Sequence, residues 1–402
     1  MATRGPACKA CGHDELRSFY RLEQVPVHSC LLMDTREEAL AYPRGDLDLA
    51  FCESCGFIQN QAFDAGLHEY STRYEETQAY SPRFQRFLDD HIERLISTYD
   101  LHSKSALEIG CGKGEWLVRY CELSGGSGIG IDPGYRPERT TSAVRDRLTF
   151  YQDFYGPKYA HLSADVVACR HTLEHIDGVR DFVRLVHETI GGRRETLVFF
   201  ELPDVLRVLE ECAFQDLYYE HCSYFTLGSL TRLFRSCGFE PVEVWTDYDE
   251  QYLMLTARVA SGGTQSRFVA ENDMALVQEK LARFEARAQR RLAEWRATLD
   301  AVRADAGRVV VWGSGSKGVA YLTTLGIRAG HDVGDPSDVR YVVDINPNKH
   351  GKFLAGTGHE IVAPAFLTEY QPTTVVVMNP IYLDEIAVMC RELGVDARLV
   401  AI

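Results

Sequence analysis

No run of about 18 apolar residues occurs in the 402-residue chain, so no helical membrane span is expected. The opening residues, MATRGPACKACGH, lack the apolar segment of a secretory signal, and a cytoplasmic, reducing location is the expectation. Positive charge is in deficit: 43 Lys and Arg stand against 58 Asp and Glu, a formal net charge of −15. Nonspecific nucleic-acid binding needs a basic footprint, so nucleic acid is excluded as a partner. A phosphorylated small molecule is not excluded, because a few local cations can hold one. Repeats and low-complexity tracts are also missing. What remains is an ordinary globular composition, 45% apolar and 25% charged, long enough for two or three domains.

The middle of the chain alternates between two periodicities. A helical spacing of apolar residues covers 83–98, RFQRFLDDHIERLIST. Strands then read at 105–110, 128–132, 147–152, 165–170 and 195–203, with helices from about 114 and near 179–190. Strands alternating with helices predict a parallel, doubly wound α/β sheet. Residues 268–305 contain no Gly or Pro and are rich in Ala, Glu, Arg and Leu, which predicts one long connecting helix. The alternation restarts with strands at 308–315, 339–347, 373–380 and 397–402, a second and smaller α/β unit. Residues 1–66 carry cysteines and read as irregular.

Twelve cysteines are present, four of them as two C-x-x-C pairs. Cys8 and Cys11 form one pair, Cys52 and Cys55 the other, and Gly12 and Gly56 follow them directly. A C-x-x-C turn supplies two thiolates, and two such turns complete a closed tetrahedral shell for a structural Zn2+. A redox pair or incidental thiols is the competing reading. His13 reads as a bystander.

Leu107-Glu108-Ile109-Gly110-Cys111-Gly112-Lys113-Gly114 follows a predicted strand and opens a predicted helix. Gly110, Gly112 and Gly114 let backbone amides approach a ligand, and a helix N-terminus favours a carboxylate. Asp132 ends the next strand, 22 residues after Gly110, where a carboxylate can accept both ribose hydroxyls. Glu108, the three glycines and Asp132 together predict class I methyltransferase architecture with S-adenosylmethionine as cofactor. Asp153 and Phe154 follow the third strand, where an acid and an aromatic can hold adenine. Arg170 and His171 follow the fourth, at the methyl-bearing rim. For Asp153 and Arg170, a surface charge and a satisfied loop residue remain open alternatives.

Residues 216–225, Asp-Leu-Tyr-Tyr-Glu-His-Cys-Ser-Tyr-Phe, cluster phenols, an acid and an imidazole just past a predicted strand end. Methylating a carbon beside a ketone needs a base for the α-proton and a donor for the enolate oxygen. His221 and Tyr218 suit those tasks. The plainer alternative makes Tyr218 and Tyr224 core aromatics and His221 a helix-cap residue.

Taken together, the chain resembles the sugar C-methyltransferases that act on thymidine-diphosphate-linked 4-keto-deoxysugars. The stretch 169–175, Cys-Arg-His-Thr-Leu-Glu-His, is similar to the family's strand-four motif, and 218–221, Tyr-Tyr-Glu-His, to its Tyr-His-Glu-His motif. The resemblance implies that Tyr218, Glu220 and His221 line the active site with His221 as base. Tyr219 stands where the family usually has His. It further implies a zinc-binding domain at 1–66, a methyltransferase domain at 67–267, a helical connector at 268–305 and a Rossmann-like substrate-binding domain at 306–402. The last carries Gly313-Ser314-Gly315-Ser316-Lys317-Gly318, a G-x-G-x-x-G spacing followed by Asp344 after the next strand. Read locally, this is a dinucleotide loop. By resemblance it holds the substrate's nucleotide, with Lys317 near the pyrophosphate and His171 and Tyr224 near the sugar. The expected partner is a nucleotide-sugar, and the expected assembly a monomer or weak oligomer. An O- or N-methyltransferase acting on a sugar or other small metabolite is the alternative reading.

Overall fold

The computed structural model describes residues 7–67, 73–262, 268–329 and 339–402, and it contains three sheets. The expected boundary at 267 lies outside the described residues. Among the described residues no helix is long and apolar enough to cross a membrane.

The central sheet has seven strands in the order Phe239–Asp247, Tyr252–Val259, Leu197–Pro203, Val166–Arg170, Ala106–Ile109, Gly128–Ile131, Leu148–Tyr151. The last five run parallel; the first two form an antiparallel hairpin on one edge, which the sequence reading of an all-parallel sheet did not include. The parallel strands are short and apolar because both faces are covered. Their register sets Ile109 beside Ile131 and Cys169, and Ile131 beside Tyr151. The residues that follow, Gly110, Asp132, Asp153 and Arg170, therefore emerge along one carboxyl edge, where open α/β sheets place ligands.

Helix Pro82–Tyr99 covers one face. Ser81 caps it by accepting from Phe84 N at 3.2 Å, and Pro82 occupies a first-turn position where a missing N–H costs nothing. Its apolar stripe, Phe84, Phe87, Leu88, Ile92, Leu95 and Ile96, is buried against Trp116 and Phe199.

The third sheet has the order Arg398–Ala401, Thr374–Val377, Val309–Trp312, Val339–Val343, Glu360–Val362, Phe353–Leu354, Leu32–Met33. Its first five strands are parallel, and Trp312 pairs with both Val343 and Val377. Gly313, Asp344 and Met378 thus share a second carboxyl edge. The strand Leu32–Met33 comes from the N-terminal segment, so that segment is woven into the C-terminal sheet.

Residues 16–60, read as irregular, build an antiparallel sheet instead. Leu16–Pro26, Arg44–Cys52 and Ile58–Asn60 pair in turn, and Ser223–Tyr224 adds a fourth strand. Alternation was hidden because register shifts interrupt the first pairing between Ser18 and Tyr20 and between Leu22 and Val25. Helix Met274–Ala304 occupies most of the predicted connector. Its first half packs Val277, Leu281, Phe284 and Ala288 on the N-terminal sheet, and its second half packs Leu292, Trp295 and Leu299 on the C-terminal sheet.

Candidate active site

One cavity of about 510 Å3 lies between the two carboxyl edges. Its wall includes Glu108, Gly110, Gly112, Asp132, Asp153, Phe154, Arg170 and His171 from the central unit. Tyr218 and His221 line its middle, and Gly313, Gly315, Ser316, Lys317 and Gly318 its far end. Sequence-distant motifs are brought together, and several candidates fall elsewhere.

The glycine turn is a cradle that side chains would fill. Gly110 has φ of +71°, and a Cβ there would meet Thr172 Oγ1 at 2.0 Å. Gly112 N donates to Asp132 Oδ2 at 2.9 Å, and Gly134 N donates to Oδ1 at 2.6 Å. Burial pushes the Asp132 carboxyl up to about 6. Glu108 is buried at the cavity with Oε2 lacking a hydrogen-bond partner. Burial raises its carboxyl to about 8 against the opposing pull of Arg170. An orphaned carboxyl atom, an open glycine turn and a helix N-terminus at Glu115 fit the polar groups of S-adenosylmethionine. Gly114 caps that helix from outside the cavity wall.

Arg170 is a rim residue whose guanidinium is already engaged. Its Nε and Nη2 each donate to Glu201 at 2.8 Å, a buried bidentate pair. His171 Nε2 reaches the same carboxylate at 2.9 Å. Burial opposes charge on this imidazole, but Glu174 and Glu201 outweigh it and raise it to about 9. His171 also holds a φ of +45°, a strained backbone for a non-glycine residue at a strand end. Asp153 accepts from Tyr159 Oη at 2.8 Å and pairs with Lys158, while Phe154 is 59% exposed. Both remain at the cavity wall, on the side expected for adenine.

At the centre, the His221 ring lies 4.2 Å from the Tyr218 ring and 4.8 Å from that of His175. Burial lowers the His221 imidazole to about 3, so it is neutral. Burial pushes the Tyr218 phenol well above its usual value, so it keeps its proton. His175 Nδ1 is 3.1 Å from the Glu220 carbonyl and donates to it, leaving Nε2 without the proton. Glu174, His175 and His221 present donor atoms all within 4.8 Å of one another. Glu174 and His175 stand in the strand-four motif, yet sequence spacing alone did not reveal that they meet the 216–221 stretch.

Two of the residues expected to touch substrate do not line the cavity. Glu220 turns its carboxylate away, to Ser29 N, Ser29 Oγ and His28 Nδ1. Tyr224 donates to the Tyr218 carbonyl at 3.2 Å and packs in the N-terminal core. Lys317 does reach the cavity, but its ammonium pairs with Asp216. Asp344 serves its own loop, accepting from Ser314 N, Ser314 Oγ and Asn346 N. Residues the sequence reading missed include Lys349, at 3.4 Å from Asp344, and Gln251, whose amide joins that of Asn379 at 3.1 and 3.0 Å. No spacing signal marks these: Gln251 meets Asn379 only because the two units dock, and Lys349 folds back on Asp344 within its own loop.

The cysteine pairs form two matching turns. Gly12 N donates to Cys8 O at 2.8 Å, and Gly56 N to Cys52 O at 2.9 Å. Cys8 and Cys55 Sγ are 3.6 Å apart, as are Cys11 and Cys52 Sγ, and all four lie within 4.8 Å. A tetrahedral shell with Zn–S near 2.3 Å has edges of about 3.8 Å, so the donor set fits this ion.

This fold and cavity define an S-adenosylmethionine-dependent methyltransferase, and residues 80–244 match the model of a methyltransferase domain. Residues 256–396 match the C-methyltransferase C-terminal domain, so the chain belongs among methyltransferases that carry this second domain. It is similar to the C-methyltransferase NovU of Streptomyces niveus, 25% identical over 399 residues, covering 94% of this chain and 90% of that one. Among solved structures it is similar to the 1,6-didemethyltoxoflavin-N1-methyltransferase of Burkholderia thailandensis. That match has 18% identity and a TM-score of 0.35, and covers 43% of this chain and 79% of that one. It is also similar to the magnesium protoporphyrin IX methyltransferase of Synechocystis PCC 6803. There the identity is 14% and the TM-score 0.32, covering 44% and 84%.

Proposed function

We propose that this methyltransferase C-methylates a nucleotide-linked keto-sugar, a thymidine diphosphate 4-keto-deoxysugar by resemblance, through an enolate. The observation that carries the reading is the shared cavity: a neutral imidazole and a protonated phenol sit between the glycine cradle and a second glycine loop. The C-methyltransferase C-terminal domain and the relative from Streptomyces niveus support carbon as the acceptor.

When bound, S-adenosylmethionine supplies an electrophilic methyl group. Gly110, Gly112, Glu108 and Asp132 would hold it, with Asp153 and Phe154 on the adenine side. His221 accepts the α-proton of the ketone, and the nearby charge of Glu220 steadies the resulting imidazolium. Tyr218 donates to the oxygen on which negative charge develops. Glu220 acts here as a positioning residue, since its carboxylate lies outside the cavity wall. The far end, with Gly315, Ser316 and Lys317, receives the diphosphate. A Zn2+ ion held by Cys8, Cys11, Cys52 and Cys55 is structural.

The test is wash-out of deuterium from the substrate α-carbon. Enolisation exchanges or removes that label, whereas O- or N-methylation leaves the bond intact. Methyl transfer with full retention of label would assign the alternative reaction.

A further inference from the structure

Between the first strand of the N-terminal sheet and Leu32–Met33 runs Val27-His28-Ser29-Cys30-Leu31, every residue buried. It is distant in sequence from both glycine loops, yet it touches the 216–221 stretch and the helix Ser316–Leu325 at once. Glu220 accepts from Ser29 N and Ser29 Oγ, with His28 Nδ1 at 3.3 Å from its other oxygen. Burial alone would push this carboxyl up; the His28 and Ser29 contacts outweigh it and hold the group well below its usual range. Ser29 Oγ lies 2.7 Å from Ser316 Oγ, and Cys30 Sγ lies 3.3 Å from the same hydroxyl.

A serine carries one hydroxyl proton. Ser29 Oγ is placed to donate toward both Glu220 Oε1 and Ser316 Oγ, so its single proton is shared between two acceptors. Ser29 therefore bridges Ser316 and Glu220, and the three groups polarise one another in a dry environment. A second tie joins the same two elements: Lys317 pairs with Asp216. The stretch 216–220 is thus pinned at both ends to adjacent residues of one helix start, with Tyr218 between the pins and His221 just beyond.

We propose that Ser29 is a positioning residue that couples the C-terminal glycine loop to His221. Contact of a ligand with Gly315, Ser316 or Lys317 shifts the serine pair, and Ser29 passes the shift to Glu220 and its neighbour. Binding energy from the non-reacting end of a substrate is thereby used at the reacting end. The kinetic part deepens the function proposed above; the coupling itself does not depend on it.

The experiment follows the His221 imidazole by NMR in full-length, zinc-loaded protein labelled at histidine, with the signal assigned by His221→Asn. Ser316→Ala is introduced alone and together with Ser29→Ala, and melting is recorded for each. The expected result is that Ser316→Ala moves the His221 signal in the native background and leaves it unmoved once Ser29 is Ala. Ser316→Thr, which keeps the hydroxyl, restores the native signal. In turnover, Ser29→Ala lowers kcat by about tenfold to a hundredfold while KM stays within about twofold. A His221 signal indifferent to Ser316→Ala, or one that Ser316→Ala moves equally once Ser29 is Ala, overturns the coupling. If the signal behaves as expected but no nucleotide keto-sugar is turned over, the coupling stands and the proposed substrate falls.

Discussion

His221 and Tyr218 illustrate how burial sets chemistry at single residues. Neither is charged in the native site, because the cavity gives charge little solvation. The neutral imidazole has a lone pair free for a proton, its basicity weakened by burial and partly restored by the Glu220 charge, and the protonated phenol can donate a hydrogen bond. Replacing His221 with Asn should lower kcat by about 10²–10⁴-fold with S-adenosylmethionine affinity nearly unchanged. Calorimetry alongside steady-state rates checks this, and undiminished turnover would remove His221 as base. His171 behaves oppositely: Glu174 and Glu201 hold its proton to about 9. Its folded value lies above the unfolded value near 6.5, so its contribution to stability is complete below that pH. The contribution is then lost as pH rises through about 9, and amounts to a few kcal/mol at most. The stability advantage of the native protein over His171→Gln should therefore shrink between pH 7 and pH 10 in urea titrations. A constant advantage would show that the ion pair with Glu201 does not set this proton.

At the scale of elements, the glycine turn shows what a sequence makes legible. Gly110 and Asp132 are forced by local geometry, one by positive φ and close approach, the other by its place at the end of a paired strand. Their places along the carboxyl edge could be read from spacing alone. The strands Ala106–Ile109 and Gly128–Ile131 were equally clear, since short apolar runs between turns leave few alternatives. The N-terminal sheet was not legible, because bulges break its alternation and its fourth strand arrives from Ser223–Tyr224. Glu220 was misplaced for a related reason: sequence proximity to His221 says nothing about which way a carboxylate turns, and its partners His28 and Ser29 are nearly two hundred residues away. Lys317 was recognised as a cation at the loop, but Asp216, its partner, comes from another unit. For the turn itself, Gly110→Ala imposes a left-handed backbone on a side chain, at about 1–2 kcal/mol, and drives a Cβ toward Thr172. Affinity for S-adenosylmethionine should fall at least about tenfold. Gly178→Ala, which meets nothing within 4 Å, serves as the control and should bind normally. Equal affinity of the two variants would mean that the turn does not touch the cofactor.

Over the whole molecule, no unit stands alone. The N-terminal segment lends Leu32–Met33 to the C-terminal sheet and receives Ser223–Tyr224 from the methyltransferase unit. The cysteine turns are docked as well. Arg232 Nε donates to Cys55 O at 2.9 Å, and Lys9 pairs with Asp177 at 2.9 Å. Asn60 N donates to Cys222 O at 2.9 Å, one residue from His221. Metal at these thiols would therefore stabilise more than its own turns. Four thiols within 4.8 Å of one another have little reason to stay clustered once an ion is removed, and strand Arg44–Cys52 ends in one of them. Because that strand carries Ile58–Asn60, which in turn holds Ser223–Tyr224, loosening should travel to the stretch bearing His221. Chelation at neutral pH should lower the melting temperature by at least several degrees, with turnover falling in parallel, and both should return on adding Zn2+. Elemental analysis should find one zinc per chain in the native protein and none in Cys52→Ser. A metal-free protein that melts and turns over like the native one would show that the four thiols are not a zinc site and that the N-terminal sheet holds the stretch bearing His221 unaided.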